Sequence, residues 1–160
     1  MDIRAPAIKI PESLGKLTLL EEINLTTEDV TLPKSLGNLR SLKKLYIEAV
    51  RSIPESIGNC KNLEDVSIES DKLTVLPQSF CKLKKLQDIR LDTFALKSLP
   101  AAFGNLTSLE NVNIFSGALT VLPESMGTLK KLKWLDLDLH NVKSLPESFK
   151  KTHLCKIFAN

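Results

Sequence analysis

The sequence predicts a solenoid of the α/β class, in which similar coils stack along one axis and each coil contributes one short strand. Three observations support this prediction. A proline recurs at nearly constant spacing, apolar residues fall at matching distances from each proline, and one pair of them alternates with polar residues. A fixed period of about 20 to 50 residues is the signature of a repeat architecture. A single coil cannot bury its own apolar side, so the coils must stack on one another.

The prolines mark where each coil begins. The seven prolines from Pro11 to Pro146 are separated by 22, 21, 23, 23, 23 and 23 residues. Most of them open the pattern Pro-x-Ser-apolar-Gly. The proline fixes φ and donates no hydrogen bond, and we expect the glycine to allow a tight bend there. We number six full coils, each starting at its proline: residues 11–32, 33–53, 54–76, 77–99, 100–122 and 123–145.

Each coil is also expected to contain one strand with a single buried face. Apolar residues stand 12 and 14 positions after the proline, with a polar or exposed residue between them, and this alternation is typical of a half-buried strand. The six pairs are Ile23 with Leu25, Leu45 with Ile47, Val66 with Ile68, Ile89 with Leu91, Val112 with Ile114, and Leu135 with Leu137.

The combined pattern, L-x-x-L-x-L followed by L-P-x-S-x-G-x-L, resembles that of leucine-rich repeat proteins. It is similar to the 23-residue repeats of plant resistance proteins and of bacterial proteins, including those of spirochaetes, and it covers the whole chain. The resemblance implies one domain over residues 1–160, a right-handed horseshoe with a parallel sheet on the concave side and short helical or 3₁₀ turns on the convex side. The first and last coils are expected to be partial.

One column departs from the family pattern. The family places Asn three residues after the second strand leucine, where its side chain bonds backbone groups between coils. Here no asparagine occupies that column, so its buried backbone groups need other partners or water. The residues present are Glu28, Val50, Asp71, Phe94, Gly117 and His140.

Composition and cysteine placement indicate the cellular compartment in which the protein works. No apolar run reaches the ~18 residues of a membrane span, and no signal peptide is visible. Cys60, Cys81 and Cys155 are expected to be free thiols, which favours the cytoplasm. A secreted protein is the alternative if an N-terminal part is missing, because Met1 and Ile3 precede Pro11 as Ile23 and Leu25 precede Pro33.

The sequence contains no motif that indicates catalysis or a cofactor. It lacks a Gly-rich phosphate-binding loop and a nucleophile paired with a general base, so we predict no enzyme activity and no cofactor. His153 and Cys155 could form a zinc pair, but two ligands do not make a site. Lys82, Lys84 and Lys85 form a ridge without interleaved aromatics, which favours a solvated surface over nucleic-acid binding.

Three positions of each strand point outward from the sheet, and equivalent positions of successive coils form three columns of surface residues. These three columns carry nine acidic and three basic residues, whereas the rest of the chain carries ten acidic and 19 basic residues. An acidic concave sheet attracts cationic partners, although a solvated face kept soluble by its charge is the alternative. Aromatic residues there are candidate anchors, unless Trp134 folds over the C-terminal edge. The predicted partner-binding residues are Tyr46, Glu48, Glu69, Asp88, Arg90, Asp92, Asn113, Phe115, Trp134, Asp136 and Asp138.

Together these observations predict a non-catalytic protein-interaction module that recognises a cationic protein partner through its concave sheet and is itself a monomer. Two alternatives remain open. In the first, the chain is the recognition domain of a larger enzyme or effector; in the second, it binds carbohydrate or lipid.

Overall fold

The computed structural model describes residues 7–138, 140–151 and 157–159. The strands of this part are β1 Ile8–Lys9, β2 Glu22–Leu25, β3 Val30–Thr31, β4 Lys44–Glu48, β5 Asp65–Ser70, β6 Asp88–Thr93, β7 Asn111–Phe115, β8 Trp134–Leu137 and β9 Ile157–Ala159. The predictions for Met1, Ile3, His153 and Cys155 lie outside the described residues.

The predicted strand of each coil is present, and together these strands form one parallel sheet. Its seven strands follow chain order as β2-β4-β5-β6-β7-β8-β9, and β1 pairs with β3 in a separate two-stranded sheet. The register aligns equivalent repeat positions: Ile68 pairs with both Ile47 and Leu91, and Leu91 pairs with Ile114. The repeat period therefore translates directly into the sheet register.

The core lies between this sheet and the opposite side of each coil. The two apolar residues of every predicted strand pair are buried. The leucines that follow the 3₁₀ helices are also buried from coil 2 onward, as Leu39 and Leu42 illustrate. These residues form one continuous apolar cluster along the solenoid, as expected when coils bury one another.

A short 3₁₀ helix follows each proline on the side opposite the sheet. The helices span Glu12–Lys16, Lys34–Asn38, Glu55–Asn59, Gln78–Lys82, Phe103–Asn105, Glu124–Thr128 and Glu147–Lys151. In five of the six helices with a described N-cap, that residue is the proline, in extended conformation, for example φ −65° and ψ 148° at Pro77. The proline therefore precedes the helix and fixes where it starts.

The role expected for the repeat glycine is wrong. No glycine of the chain has positive φ, so none is required for a bend. The glycine instead makes room for the next coil: a Cβ on Gly58 would lie 2.6 Å from the carbonyl oxygen of Ser79 and 2.8 Å from its Cβ. The column holds glycine because two coils touch there, not because the backbone turns.

The exception to this column in coil 4 fits the same explanation. Cys81 replaces glycine in coil 4, and Ala102 replaces serine at the contacting position of coil 5. The 3₁₀ helix of coil 5 is also shorter, starting only at Phe103. The two departures therefore occur at one and the same coil-to-coil contact, where the cysteine side chain needs space.

In coils 3 and 5 the turn after the strand, which lacks the family's asparagine, is held by a serine hydroxyl one position earlier. The Ser70 hydroxyl donates to the carbonyl oxygen of Val50 at 2.6 Å, and Ser116 donates to that of Leu96 at 2.8 Å. Both hydroxyls also accept a backbone N–H two residues later, from Lys72 at 3.2 Å in the first case. In coil 2 the equivalent residue is Ala49, which adopts φ 52°.

Candidate functional site

The concave face is built from the outward-pointing residues of β2 and β4 to β8. Alternation along each strand places three such residues beside the two buried ones, and the parallel register stacks them into columns. The described columns carry eight acidic and two basic residues. The basic residues are Lys44 and Arg90.

The strongest concentration of charge is the column formed by Glu48, Glu69 and Asp92, which we call the acidic column. Glu48 pairs with Glu69 and Glu69 with Asp92 in the parallel register, so the three carboxylates stand on strands about 4.8 Å apart. Asp92 makes a long ion pair of 3.6 Å with Arg90, in which both side chains are about half exposed. Such an exposed pair offsets little of the repulsion.

Asp65 and Asp88, which also face each other across strands, are each hydrogen-bonded by a neutral neighbour. The Tyr46 hydroxyl donates to Asp65 at 2.6 Å, and the Asn111 amide donates to Asp88 at 2.5 Å. These bonds order the carboxylates without neutralising them. A shallow depression of about 330 Å³ lies here, lined by Tyr46, Asp65, Ser67, Asp88, Ile89, Arg90, Asn111 and Asn113.

The electrostatic effect of this face is visible at Tyr46. The hydrogen bond to Asp65, together with partial burial and the charges of Asp65, Glu22 and Asp88, raises the pKa of Tyr46 to about 12. Negative charge nearby disfavours the tyrosinate. Tyr46 is therefore a neutral hydrogen-bond donor inside an acidic surface.

At the C-terminal end of the face, Asp138 is held by His140. The carboxylate accepts the backbone N–H of His140 at 3.0 Å and approaches its ring Nδ1 at 2.5 Å. The backbone bond, followed by the side-chain bond, lowers the pKa of Asp138. Asp136 is half-buried, and one of its carboxylate oxygens has no hydrogen-bond partner among the described residues.

The predicted aromatic residues do not form one patch. Trp134 pairs with Asn111 at the start of the strands, whereas Phe115 ends β7 and pairs with Asp92. Four residues of strand separate the two levels, roughly 13 Å. Tyr46, Asp88, Arg90 and Asn113, by contrast, line the same depression.

Sequence reasoning missed Phe94 as a surface feature. Its side chain is 73% exposed in the turn after β6. The sequence could have indicated it, because the equivalent positions of coils 3, 5 and 6 hold polar residues or glycine.

The lysines on the outer side make contacts between coils. Lys84 Nζ donates to the carbonyl oxygen of Asn105 at 2.5 Å, and Lys85 Nζ donates to the Asn62 side chain at 2.7 Å. These contacts give both lysines a structural role.

In the described part of the chain, no group of three or more His, Cys, Asp or Glu side chains is placed to hold a metal ion. None of the helices there has the length and apolar content that crossing a bilayer requires.

Comparison with solved structures finds the same architecture in bacterial and plant proteins. A leucine-rich repeat protein of Leptospira interrogans is 28% identical with a TM-score of 0.79, over 93% of this chain and 39% of that one. The ectodomain of the Arabidopsis thaliana receptor kinase GASSHO1/SCHENGEN3, in complex with CASPARIAN STRIP INTEGRITY FACTOR 2, is 25% identical with a TM-score of 0.64, over 92% of this chain and 22% of that one.

A Listeria monocytogenes internalin shares the fold at 20% identity, with a TM-score of 0.62 over 96% of this chain and 52% of that one. The chain thus spans about two fifths of the Leptospira protein's length. A comparison with curated proteins gave no match. A family model described as a leucine-rich repeat region matches residues 48–157. The chain therefore belongs to the leucine-rich repeat family.

Proposed function

We propose that this chain is a non-catalytic protein-recognition module whose concave face binds a basic segment of a protein partner. The observation that carries the proposal is the acidic column of Glu48, Glu69 and Asp92, on adjacent strands of an exposed sheet. The proposed contact surface comprises Tyr46, Glu48, Glu69, Asp88, Arg90, Asp92, Asn113, Phe115, Trp134, Asp136 and Asp138.

The acidic column has an energetic cost in the free protein. Like charges directly opposite each other on neighbouring strands destabilise a sheet, and the single ion pair at Asp92 is long and exposed. The core is formed by the buried residues of the same strands, so the fold does not require carboxylates at these positions. A basic partner would relieve this repulsion on binding.

Concave geometry strengthens the attraction. A cleft lined by one sign of charge concentrates potential and accelerates the association of oppositely charged partners. The sheet also holds its carboxylates at fixed spacing, with Asp65 and Asp88 oriented by Tyr46 and Asn111. A pre-ordered surface loses less side-chain entropy on binding than a flexible one.

The structural comparison supports a recognition role. The Arabidopsis receptor ectodomain, 25% identical over 92% of this chain, is in complex with CASPARIAN STRIP INTEGRITY FACTOR 2. Proteins of this architecture present extended concave surfaces for binding.

Selection from a random-peptide library displayed on phage tests the proposal. We expect the wild-type protein to enrich peptides rich in Lys and Arg, and the double variant Glu69→Lys with Asp92→Lys to enrich none of them. Lys84→Ala with Lys85→Ala is the matched control on the outer side and should keep the wild-type preference. Enrichment that lacks basic residues, or that survives the charge reversal, contradicts the proposal.

A further inference from the structure

Phe94 occupies a position where the solenoid does not need a phenylalanine. The equivalent residues of coils 3, 5 and 6 are Asp71, Gly117 and His140, none of which belongs to the core, whereas the equivalent residue of coil 2, Val50, is buried there. The Phe94 side chain is 73% exposed, so it gains little from burial in the free protein. It is more exposed than Trp134, at 39%, and aromatic residues, phenylalanine included, are enriched at protein interfaces relative to the rest of the surface.

The ring of Phe94 rests on the next coil at a glycine. A Cβ added to Gly117 would lie 3.4 Å from Cε2 and 3.5 Å from Cδ2 of the ring. Gly117 does not have positive φ, so its backbone could accommodate another residue. A methyl group at this position would make ordinary van der Waals contact with the ring, so the ring lies directly beside coil 5.

Phe115 lies on the same edge of the sheet. It is the last residue of β7, two positions before Gly117, and pairs with Asp92 in the register. Its side chain is half-buried on the concave face. We call Phe94, Phe115 and Gly117 the aromatic edge, and it adjoins the end of the acidic column at Asp92.

We propose that the aromatic edge is the anchor site for one basic side chain of the partner, a lysine or an arginine. The apolar stem of that side chain packs on Phe94 and Phe115, and its cationic head faces Asp92 and Glu69. This inference rests on the proposed function and names the residue that the concave face selects. It places the anchor at the edge where β6 and β7 end, away from Trp134.

The chemistry of the edge suits a long basic side chain better than the alternatives. Lysine and arginine bury apolar stems while keeping the charge solvated or paired, and their cations are attracted to aromatic faces. A purely apolar anchor would draw the Asp92 carboxylate out of water with no compensating charge. An acidic anchor would meet Asp92 and Glu69 at close range.

Fluorescence anisotropy with a basic peptide enriched by the wild-type protein is the test. Phe94→Ser should weaken binding at least about tenfold, whereas Phe94→Tyr should retain most of the affinity. Replacing one lysine of the peptide with norleucine, which keeps the stem and removes the charge, should cause a similar loss at one position only. When the Phe94→Ser variant is combined with the norleucine peptide, the loss of binding free energy should be smaller than the sum of the two separate losses of binding free energy.

Leu19→Ser is the matched control, because Leu19 is 86% exposed on coil 1, far from the edge. It should leave affinity unchanged, and circular dichroism should show that all variants remain folded. If Phe94→Ser binds as tightly as wild type while Glu69→Lys with Asp92→Lys does not bind, the anchor is elsewhere and the proposed function stands. If the wild-type protein enriches no basic peptide, the proposed function fails and this inference fails with it.

Discussion

Leu91 shows at the scale of one residue how each coil depends on its neighbours. It is fully buried in β6, between Ile68 and Ile114 on the adjacent strands. We expect Leu91→Ala to lower the free energy of unfolding by about 2–5 kcal/mol, because the cavity spans three coils. Urea denaturation measures the change, with the exposed Val75→Ala as control. A loss below about 1 kcal/mol would contradict this packing.

The repeat glycines offer a second test at single residues. In Gly58→Ala, the new methyl group would meet the backbone of Ser79, which cannot move without shifting the next coil. We expect a loss of about 1–3 kcal/mol. Gly117→Ala is the matched control, since its Cβ would make ordinary contact with Phe94 and should change stability by less than about 0.5 kcal/mol. Equal effects would argue against coil contact as the reason for the glycine column.

The cysteines test burial by their reactivity. Cys60 and Cys81 are free and buried; burial raises the pKa of Cys60 to about 11 and also raises the pKa of Cys81. Because the thiolate is the reactive form, both should resist alkylation in the native protein. After unfolding without reductant, mass spectrometry should find all three cysteines alkylated. The prediction of three free thiols includes Cys155, which lies outside the described residues, and a count of one would contradict it.

At the scale of the element, glutamates of one coil cap the 3₁₀ helix of the next. Glu12 accepts the backbone N–H groups of Lys34 at 3.1 Å and Ser35 at 2.8 Å. Glu124 accepts those of Glu147 and Ser148, both at 3.1 Å. The first N–H groups of a helix lack partners within it, and a carboxylate satisfies them well. Each cap therefore also joins two coils.

These caps make stability depend on pH. Bonds from the backbone N–H of Ser35 and of Ser148 lower the pKa of Glu12 and Glu124, respectively, below the usual 4.5. Their contribution is therefore present above pH 4.5 and is lost as the pH falls through the lower, folded-state pKa values. We expect Glu12→Gln with Glu124→Gln to flatten this acid-side loss, measured as melting temperature against pH. Glu28→Gln, in an exposed turn, is the control. A double variant with the wild-type slope would show that the caps do not contribute.

At the scale of the whole molecule, charge is separated between the two sides of the solenoid. The described concave columns hold eight acidic and two basic residues, while lysines such as Lys84 and Lys85 bridge coils on the outer side. A net charge of +3 conceals this separation. The concave face should therefore govern the rate at which a basic partner associates.

Stopped-flow measurement of the association rate with a basic peptide enriched by the wild-type protein tests this electrostatic effect. The rate constant should fall as salt shortens the Debye length from ~10 Å at 0.1 M toward ~3 Å at 1 M. Asp92→Asn should reduce both the rate at low salt and its dependence on salt. Lys85→Ala should alter neither, and a larger effect at Lys85 than at Asp92 would place the binding face on the outer side.

The amino-acid sequence by itself determined the repeat, the strands and the two faces of the sheet. Period and alternation are local properties of the chain, so the burial of pairs such as Ile89 with Leu91, and the position of Asp88 and Arg90 on the opposite face, could be read directly. The acidic character of the concave columns followed from the same alternation.

Only the tertiary structure decided what happens between coils. The contact of Gly58 with Ser79, the caps from Glu12 and Glu124, and the hydroxyl bond from Ser70 to Val50 all join residues about one period apart. Their existence depends on stagger and distance between stacked coils, which a repeat pattern does not specify. The same is true of Phe94, because the column showed that it departs from the repeat, whereas only the stacking on Gly117 shows where its ring lies.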